Sequence, residues 1–269
     1  MSIIGVNAAA YAKWLLEEFG GTCRLNAVTK FRERLRLLRP FAPRFSPDNT
    51  DVLIIGGFSG GKFNMTLKEK LQILKFMHDG GKCLAICDAV HQLIPIAEFV
   101  KDKRGLVLRE AHTGRGFRET VVGETDVINL EHNNGAKLIW DKERPDVIPI
   151  ATANDGGGYA DILSFFNGRV VLSPLHAEMP PDFKLDYLRK LNSGKNIPKL
   201  GQYLEYLTEN WEKSLKPFAD YHAQLRQVIY EDFLGLPMRQ RVAVTAAGLL
   251  KIRSHLTMLR SMDMTQLTH

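Results

Sequence analysis

Two kinds of stretch alternate along the first hundred positions of the chain. Short, continuous apolar runs, "SIIGVN", "DVLIIGG" and "KCLAIC", predict strands that are buried on both faces. The segments "AAAYAKWLLEEFG" and "LKEKLQILKFMHDGG" carry apolar residues at helical spacing and end at glycines. In the second helix the spacing places Leu67, Leu71 and Leu74 on the buried face, together with Phe76 or Met77. Buried strands separated by amphipathic helices predict an α/β fold, a doubly wound parallel sheet.

The pattern changes after residue 105. Short β-rich runs punctuated by Gly and Asn follow, and "DILSFFNGRVVL" predicts a hairpin in which Asn167 and Gly168 supply the positive φ angles of a tight turn. Residues 183–269 show helical patterning with few strand patterns. We therefore expect one α/β domain over residues 1–182 and a helical extension over 183–269, whose apolar faces pack on the core or on another chain.

Composition places the chain among folded globular proteins. Of 269 residues, 45% are apolar and 25% are charged. No apolar run approaches the roughly 18 to 20 residues of a membrane-spanning helix, and the N-terminus lacks a signal-peptide pattern, so a cytoplasmic location without membrane contact is expected. The three cysteines, Cys23, Cys83 and Cys87, fit neither a disulfide framework nor zinc spacing. We therefore expect reduced thiols, and we expect neither a metal nor a cofactor.

The net charge of +6 raises the question of an acidic partner. The densest basic run is "KFRERLRLLRPFAPRF", residues 30–45, which also carries apolar residues at helical spacing. An amphipathic surface helix with a solvated basic face accounts for it, and contact with phosphate is the alternative. Because no DNA- or RNA-binding motif accompanies the charge, a nucleic-acid partner is not expected.

Cys87 stands where the strand "KCLAIC" turns into a segment, "DAVHQL", that begins as a helix. Ligands of open α/β sheets gather at the carboxyl ends of the strands. A nucleophile on such a turn is held exposed at the top of the sheet, and the helix N-terminus behind it favours the thiolate. The small residues that the turn needs on either side are Ala85 and Ala89. Cysteine is also often buried and inert, so this stretch alone leaves both roles open.

Two further motifs carry residues suited to the same chemistry. After the strand "GRVVL", His176 and Glu178 are separated by one residue, so in an extended segment a carboxylate can orient the imidazole while the other ring nitrogen meets a thiol. In the glycine-rich loop "IIGGFSGGKF", the N–H of Gly57 could join that of Asp88 in an oxyanion hole. A chance His-x-Glu pair and plain glycine turns are the alternatives.

Together the three motifs resemble the class I glutamine amidotransferase superfamily over residues 1–182. The closest likeness is to the amidotransferase-like domain that precedes the ligase in eukaryotic biotin-protein ligases, and "GKCLAIC", "HNNGAKLIW" and "FNGRVVLSPLHAEMPPDF" carry it. The resemblance implies a flavodoxin-like sheet and a small-molecule amide or acyl substrate. It implies a nucleophile elbow with Cys87 as nucleophile, His176 as base and Glu178 as orienting acid. Further substrate contacts are expected from Gly56, His91, Asn134 and Gly135.

The chain departs from the superfamily at four positions. Alanine replaces the elbow glycines at Ala85 and Ala89, Ala177 stands in place of proline, and His91 in place of the glutamine that holds the substrate amide. Biotin ligation is not expected, because the part after residue 182 is too short and too helical for a ligase domain.

Three hypotheses follow from these motifs and departures. The first is a cysteine-dependent hydrolase or amidotransferase-like enzyme. The second is a non-catalytic binding or regulatory module that docks a protein partner or a second copy through residues 183–269. The third is redox sensing by Cys87 with Cys83 as resolving thiol, although an extended strand places these two residues about 13 Å apart.

Overall fold

The computed structural model describes most of the chain. The described residues are 2–5, 8–20, 24–27, 46–56, 67–91, 93, 107–111, 115–133, 136–166, 168–195, 197–244 and 246–261. The basic run at 30–45 lies outside them. So do three of the predicted site residues, Gly57, Asn134 and Gly135.

The described strands join in one sheet. Their order across it is β12-β7-β6-β9-β10-β11-β4-β3-β1-β2, and β8 pairs with both β10 and β5. The strands are β1 (Ser2–Gly5), β2 (Arg24–Ala27), β3 (Val52–Ile55), β4 (Lys82–Ile86), β5 (Val107–Ala111), β6 (Arg115–Val122), β7 (Asp126–Asn133), β8 (Ala136–Trp140), β9 (Ile148–Ala153), β10 (Ala160–Phe165), β11 (Val170–Ser173) and β12 (Leu175–His176).

The sheet is mixed, so the prediction of a parallel sheet is correct for one part and wrong for the rest. Strands β2, β1, β3, β4 and β11 are parallel and lie in the order 2-1-3-4-5 of a flavodoxin-like fold. Strands β6, β7, β9, β10 and β12 pair antiparallel with their neighbours. The reason is the length of the connections: β6 and β7 are joined by three residues, whereas parallel neighbours need a crossover of about a dozen or more.

The helices cover both faces of the sheet and form the C-terminal part of the chain. They are α1 (Ala8–Phe19), α2 (Leu67–His78), α3 (Pro181–Lys195), α4 (Pro198–Asn210), α5 (Ala219–Gln227) and α6 (Ala247–Ser261). Short π-helical and 3-10 segments continue α4 over Trp211–Leu215 and Lys216–Phe218, and a π-helical segment continues α5 over Val228–Phe233. Among the helices that the structure describes, none combines the length and apolar character needed to cross a bilayer.

Burial alternates along the central strands and separates two cores. Side chains of Val52 and Ile54 join one core with α1 and the C-terminal helices, whereas Leu53 and Ile55 join a second core with α2. This double burial is why these strands are continuous apolar runs. The C-terminal helices therefore pack on the same core as the sheet, while the division at residue 182 stays a prediction.

The predicted buried face of α2 is correct in part. Phe76 and Met77 lie in the second core and Leu74 packs against it, as predicted. Leu67 and Leu71 are instead 59% and 48% exposed, and Ile73 is buried.

The hairpin over residues 160–173 is confirmed. Strands β10 and β11 pair antiparallel, with Leu163 opposite Leu172. Gly168 has a φ of 84°, as expected for the turn, and Phe166 adds a second positive φ of 52°. Asn167 lies outside the described residues.

A close backbone contact seats α6 on the turn between β6 and β7. Gly248, in the first turn of α6, donates its N–H to Asp126 at 3.1 Å. A Cβ on Gly248 would collide with the carbonyl oxygen of Val122, and one on Gly123 with the backbone of Gly248. Only glycine at both positions allows the helix to approach this closely.

Replacing Gly248 by alanine should therefore destabilise the fold. We expect Gly248→Ala to lower the free energy of unfolding by about 1–3 kcal/mol, the usual cost of overpacking, measured by urea denaturation. Gly201→Ala, inside α4 where an added Cβ meets only ordinary contacts, is the matched control. It should stabilise the fold by up to about 1 kcal/mol through helix propensity. Equal effects of the two substitutions would contradict the packing described here.

Candidate active site

The register between two parallel strands places the predicted nucleophile beside the predicted base. Ile86, the last residue of β4, pairs with Ser173, the last residue of β11. Cys87 follows directly after β4, and after β11 the chain turns into β12, which ends at His176. Both residues therefore lie at the carboxyl-end edge of the parallel part, where open α/β sheets bind ligands.

Cys87 adopts a backbone conformation that is rare for residues other than glycine. Its φ is 56°, in the left-handed region, and it opens a 3-10 turn over Cys87–Ala89. This conformation costs a non-glycine residue about 1–2 kcal/mol, and such strain concentrates at functional sites. Ala85 and Ala89 on either side are fully buried, which explains why small residues stand there.

The thiol of Cys87 is buried, so the expectation of an exposed nucleophile is wrong for this structure. Cys87 is 5% exposed, and its Sγ donates a hydrogen bond of 3.1 Å to the carbonyl oxygen of Asn133 at the end of β7. The thiol also lies near enough to the His176 ring to raise the pKa of that ring. The contact with β7 could not be seen from the sequence of β4 alone.

His176 and Glu178 form a half-buried pair, with side chains 16% and 12% exposed. Nδ1 of His176 lies 2.8 Å from Oε1 of Glu178, which confirms that the two side chains point to the same side. Burial acts to lower the pKa of His176, but the charge of Glu178 and the hydrogen bonds to Cys87 and Glu178 outweigh it and raise that pKa well above its usual value. Burial likewise acts to raise the pKa of Glu178, but the charge of His176 outweighs burial, so the pKa of Glu178 is lowered. The pair therefore favours imidazolium and carboxylate.

A tyrosine from the C-terminal helices fixes the turn that carries Glu178. The hydroxyl of Tyr230, in the π-helical segment Val228–Phe233, donates to the Glu178 carbonyl oxygen at 2.9 Å. The Tyr230 hydroxyl also contacts that of Tyr11 in α1. Residues far apart in the sequence thus converge on the backbone of Glu178.

The remaining predicted site residues fall into two groups. Gly56 directly follows β3, while Asp88 and His91 follow Cys87. Burial raises the pKa of Asp88, and the charges of His91 and His176 oppose that rise. Gly57, Asn134 and Gly135 lie outside the described residues. The oxyanion hole and the substrate contacts therefore stay predictions.

Sequence reasoning missed a second buried carboxylate beside the site. Glu131 on β7 is paired directly across from His176 on β12 and is 4% exposed. Its two oxygens accept hydrogen bonds from Lys184 at 2.7 Å and from Tyr203 at 2.6 Å. Burial acts to raise the pKa of Glu131, but the Lys184 charge and these bonds lower it to about 2. Glu131 has polar neighbours in "NLEHN", so the sequence around it did not indicate a buried carboxylate.

A pocket lies beside His176 and Glu178. It is lined by residues of β7, β12, the turn after β12, α3, α4 and the segment that follows α4. The polar ones are Glu131, His176, Glu178 and Lys184, and the apolar ones are Met179, Pro181, Leu185, Leu207 and Leu215. Among the residues that the structure describes, no three or more His, Cys, Asp or Glu side chains are arranged to hold a metal ion.

Comparison with solved structures identifies the fold. A glutamine amidotransferase from Thermotoga maritima superposes with a TM-score of 0.52 at 11% sequence identity, over 87% of this chain and 98% of that one. This chain shares the fold of that glutamine amidotransferase. A glutamine amidotransferase from Methylobacillus flagellatus gives a TM-score of 0.49 at 10% identity, over 73% of this chain and 75% of that one.

The similarity to the Thermotoga maritima structure shows the fold and not the activity. No protein-family model and no curated protein matches the chain. The α/β fold agrees with the resemblance to glutamine amidotransferases, and the finer resemblance to the domain of biotin-protein ligases stays a prediction from the sequence.

The raised pKa of His176 has a consequence for stability. A group whose pKa is higher in the folded chain stabilises the fold below its unfolded pKa, about 6.5 for histidine, and loses this contribution as pH rises through its folded pKa. We expect the free energy of unfolding of the wild type to fall over this interval relative to His176→Gln. Urea denaturation from about pH 6 to about pH 9 measures both curves. His78→Gln, at an exposed side chain, should follow the wild type, and parallel curves for all three proteins would contradict the account.

Proposed function

We propose that the chain is a cysteine-dependent hydrolase or amidotransferase-like enzyme that acts on an amide or acyl group of a small molecule. Cys87 is the nucleophile, His176 the general base and Glu178 the acid that orients it. The observation that carries the proposal is the hydrogen-bonded pair of His176 and Glu178 beside a left-handed elbow at Cys87, whose thiol is near enough to raise the pKa of the His176 ring. The shared fold with a glutamine amidotransferase supports an amide as the substrate class.

The chemistry proceeds in two stages. Transfer of the Cys87 proton to Nε2 of His176, the ring nitrogen not used by Glu178, gives a thiolate–imidazolium pair, which the raised pKa of His176 favours. The thiolate attacks the carbonyl carbon. The tetrahedral intermediate collapses to a thioester as the C–N bond breaks and His176 returns the proton to the leaving amine. Water, or an acceptor amine, then attacks the thioester and releases Cys87. Glu178 stabilises the imidazolium throughout.

The oxyanion needs donors near the elbow. We assign this role to the backbone N–H of Asp88, which begins the turn behind the nucleophile, and to that of Gly57. Substrate contacts are assigned to Gly56, His91, Asn134 and Gly135. With histidine at position 91 in place of glutamine, the donors offered to the substrate differ from those of glutaminases. Specificity is therefore proposed for an amide or acyl group and not for glutamine alone, and a cytoplasmic location is kept as a prediction.

Covalent labelling tests the proposal. A chloromethyl ketone analogue of an amide substrate should modify Cys87, identified by mass mapping, while Cys83, buried in the second core, stays unmodified. His176→Ala should slow the labelling by about 100-fold or more, the usual contribution of a general base. His78→Ala is the matched control and should label at the wild-type rate. Modification at another residue, or undiminished labelling of His176→Ala, would remove the enzymatic proposal.

A second candidate is a binding or regulatory module on the same fold. The Cys87 thiol is buried and donates to a backbone carbonyl, which is typical of structural cysteines and favours this candidate. The departures from the superfamily at Ala85, Ala89 and His91 favour it as well. Such a module would dock a protein or a second copy through residues 183–269. Under this alternative Cys87→Ser keeps cellular activity and any partner captured by the wild type. Loss of cellular activity with normal folding of Cys87→Ser would favour catalysis.

A further inference from the structure

Three side chains from three elements meet behind His176. Glu131 comes from β7, Lys184 from the first turn of α3, and Tyr203 from α4. Lys184 and Tyr203 each donate to a different oxygen of Glu131, and the Lys184 ammonium also lies 5.4 Å from the Tyr203 ring centre. The Lys184 side chain is 15% exposed and that of Glu131 is 5% exposed, so the ion pair is largely buried.

This cluster borders the proposed active site at His176. Glu131 and His176 are directly opposite residues of an antiparallel pair, so their side chains leave the same face of the sheet. Glu131, His176, Glu178 and Lys184 line one pocket. The imidazole is therefore within the field of two carboxylates.

Two carboxylates lie near one imidazole, so each is a possible acceptor for its ring N–H. An unpaired Glu131 would be a buried charge without compensation and a competing acceptor for the ring N–H. Its two oxygens are instead both occupied, one by an ammonium and one by a phenol. The His176 Nδ1 then hydrogen bonds to Glu178 at 2.8 Å.

We propose that Lys184 is a positioning residue: by binding Glu131 it leaves Glu178 as the carboxylate that orients His176, and it anchors α3 beside the site. The inference rests on the proposed function, since it assigns a role within that site. Lys184 lies six positions after Glu178, so the helix that follows the His-x-Glu turn supplies its own counter-ion. Tyr203 extends the same anchorage to α4.

The charge of Lys184 persists in this setting. Burial acts to lower its pKa, but the Glu131, Tyr203 and Glu178 charges reverse this and raise it. The charged or titratable groups that act on His176 come from four elements or turns: Cys87 and Asp88 at the elbow, Glu131 and His132 on β7, Glu178 after β12, and Lys184 on α3, which acts on both carboxylates.

Titration of His176 by nuclear magnetic resonance tests the inference. Lys184→Met removes the positive charge that offsets both carboxylates, so the pKa of His176 should move upward. Glu131→Gln removes a negative charge, so it should move downward. The double variant Glu131→Gln/Lys184→Met removes both charges and should return close to the wild type. The His176 resonance is assigned from its loss in His176→Gln.

The double variant also keeps the test valid if Lys184→Met fails to fold. Comparing it with Glu131→Gln measures the Lys184 effect where no carboxylate is left unpaired, and the pKa of His176 should be higher in the double variant. Lys216→Met, at an exposed pair with Glu212, is the control and should leave the His176 pKa unchanged. A His176 pKa that does not respond to Lys184 in either background would overturn the inference.

The outcome can be separated from that of the proposed function. Titration of His176 does not require Cys87 to react. Opposite pKa shifts in the single variants, with no labelling of Cys87, would support the positioning role of Lys184 and contradict the proposed enzymatic function. Labelling of Cys87, with a His176 pKa that does not respond to Lys184, would support the enzymatic function and contradict the positioning role. A purely structural cluster would alter the free energy of unfolding and leave the His176 pKa in place.

Discussion

An imidazolium can be buried only if a negative charge is held against it, because an isolated ion loses several kcal/mol of solvation in a protein interior. In this chain the requirement is met by the 2.8 Å contact between His176 and Glu178. The same contact leaves the second ring nitrogen for Cys87 and gives the base a fixed orientation. Everything proposed about reactivity depends on this pair, and the elements around it serve to hold it.

Support for the pair comes from both halves of the chain. The parallel register of β4 and β11 places Cys87 next to the turn that leads to His176. Tyr230, near the C-terminal end, holds the backbone of Glu178, and Lys184 neutralises the other carboxylate nearby. The C-terminal helices are thus part of the proposed site as well as of the core.

The limits of prediction follow from sequence separation. Local sequence patterns were sufficient to predict β3, β4, α1 and the hairpin at Gly168. Burial on both faces, helical spacing and a turn glycine are all visible in a few neighbouring residues. The rest of the antiparallel part was missed, because short apolar runs do not reveal the direction of pairing. The contact of Glu131 with Lys184 and Tyr203 joins positions 53 and 72 apart, and no local pattern encodes it. Exposure of Cys87 was mispredicted for the same reason, since β7 supplies its cover.

The most direct measurement is a crystal structure of the chain after reaction with an electrophilic amide analogue. The account predicts a covalent bond at Sγ of Cys87, with the His176 ring still hydrogen bonded to Glu178 and the adduct oxygen directed at the N–H of Asp88. An unmodified thiol that still donates to the Asn133 carbonyl, in crystals soaked to saturation, would contradict it.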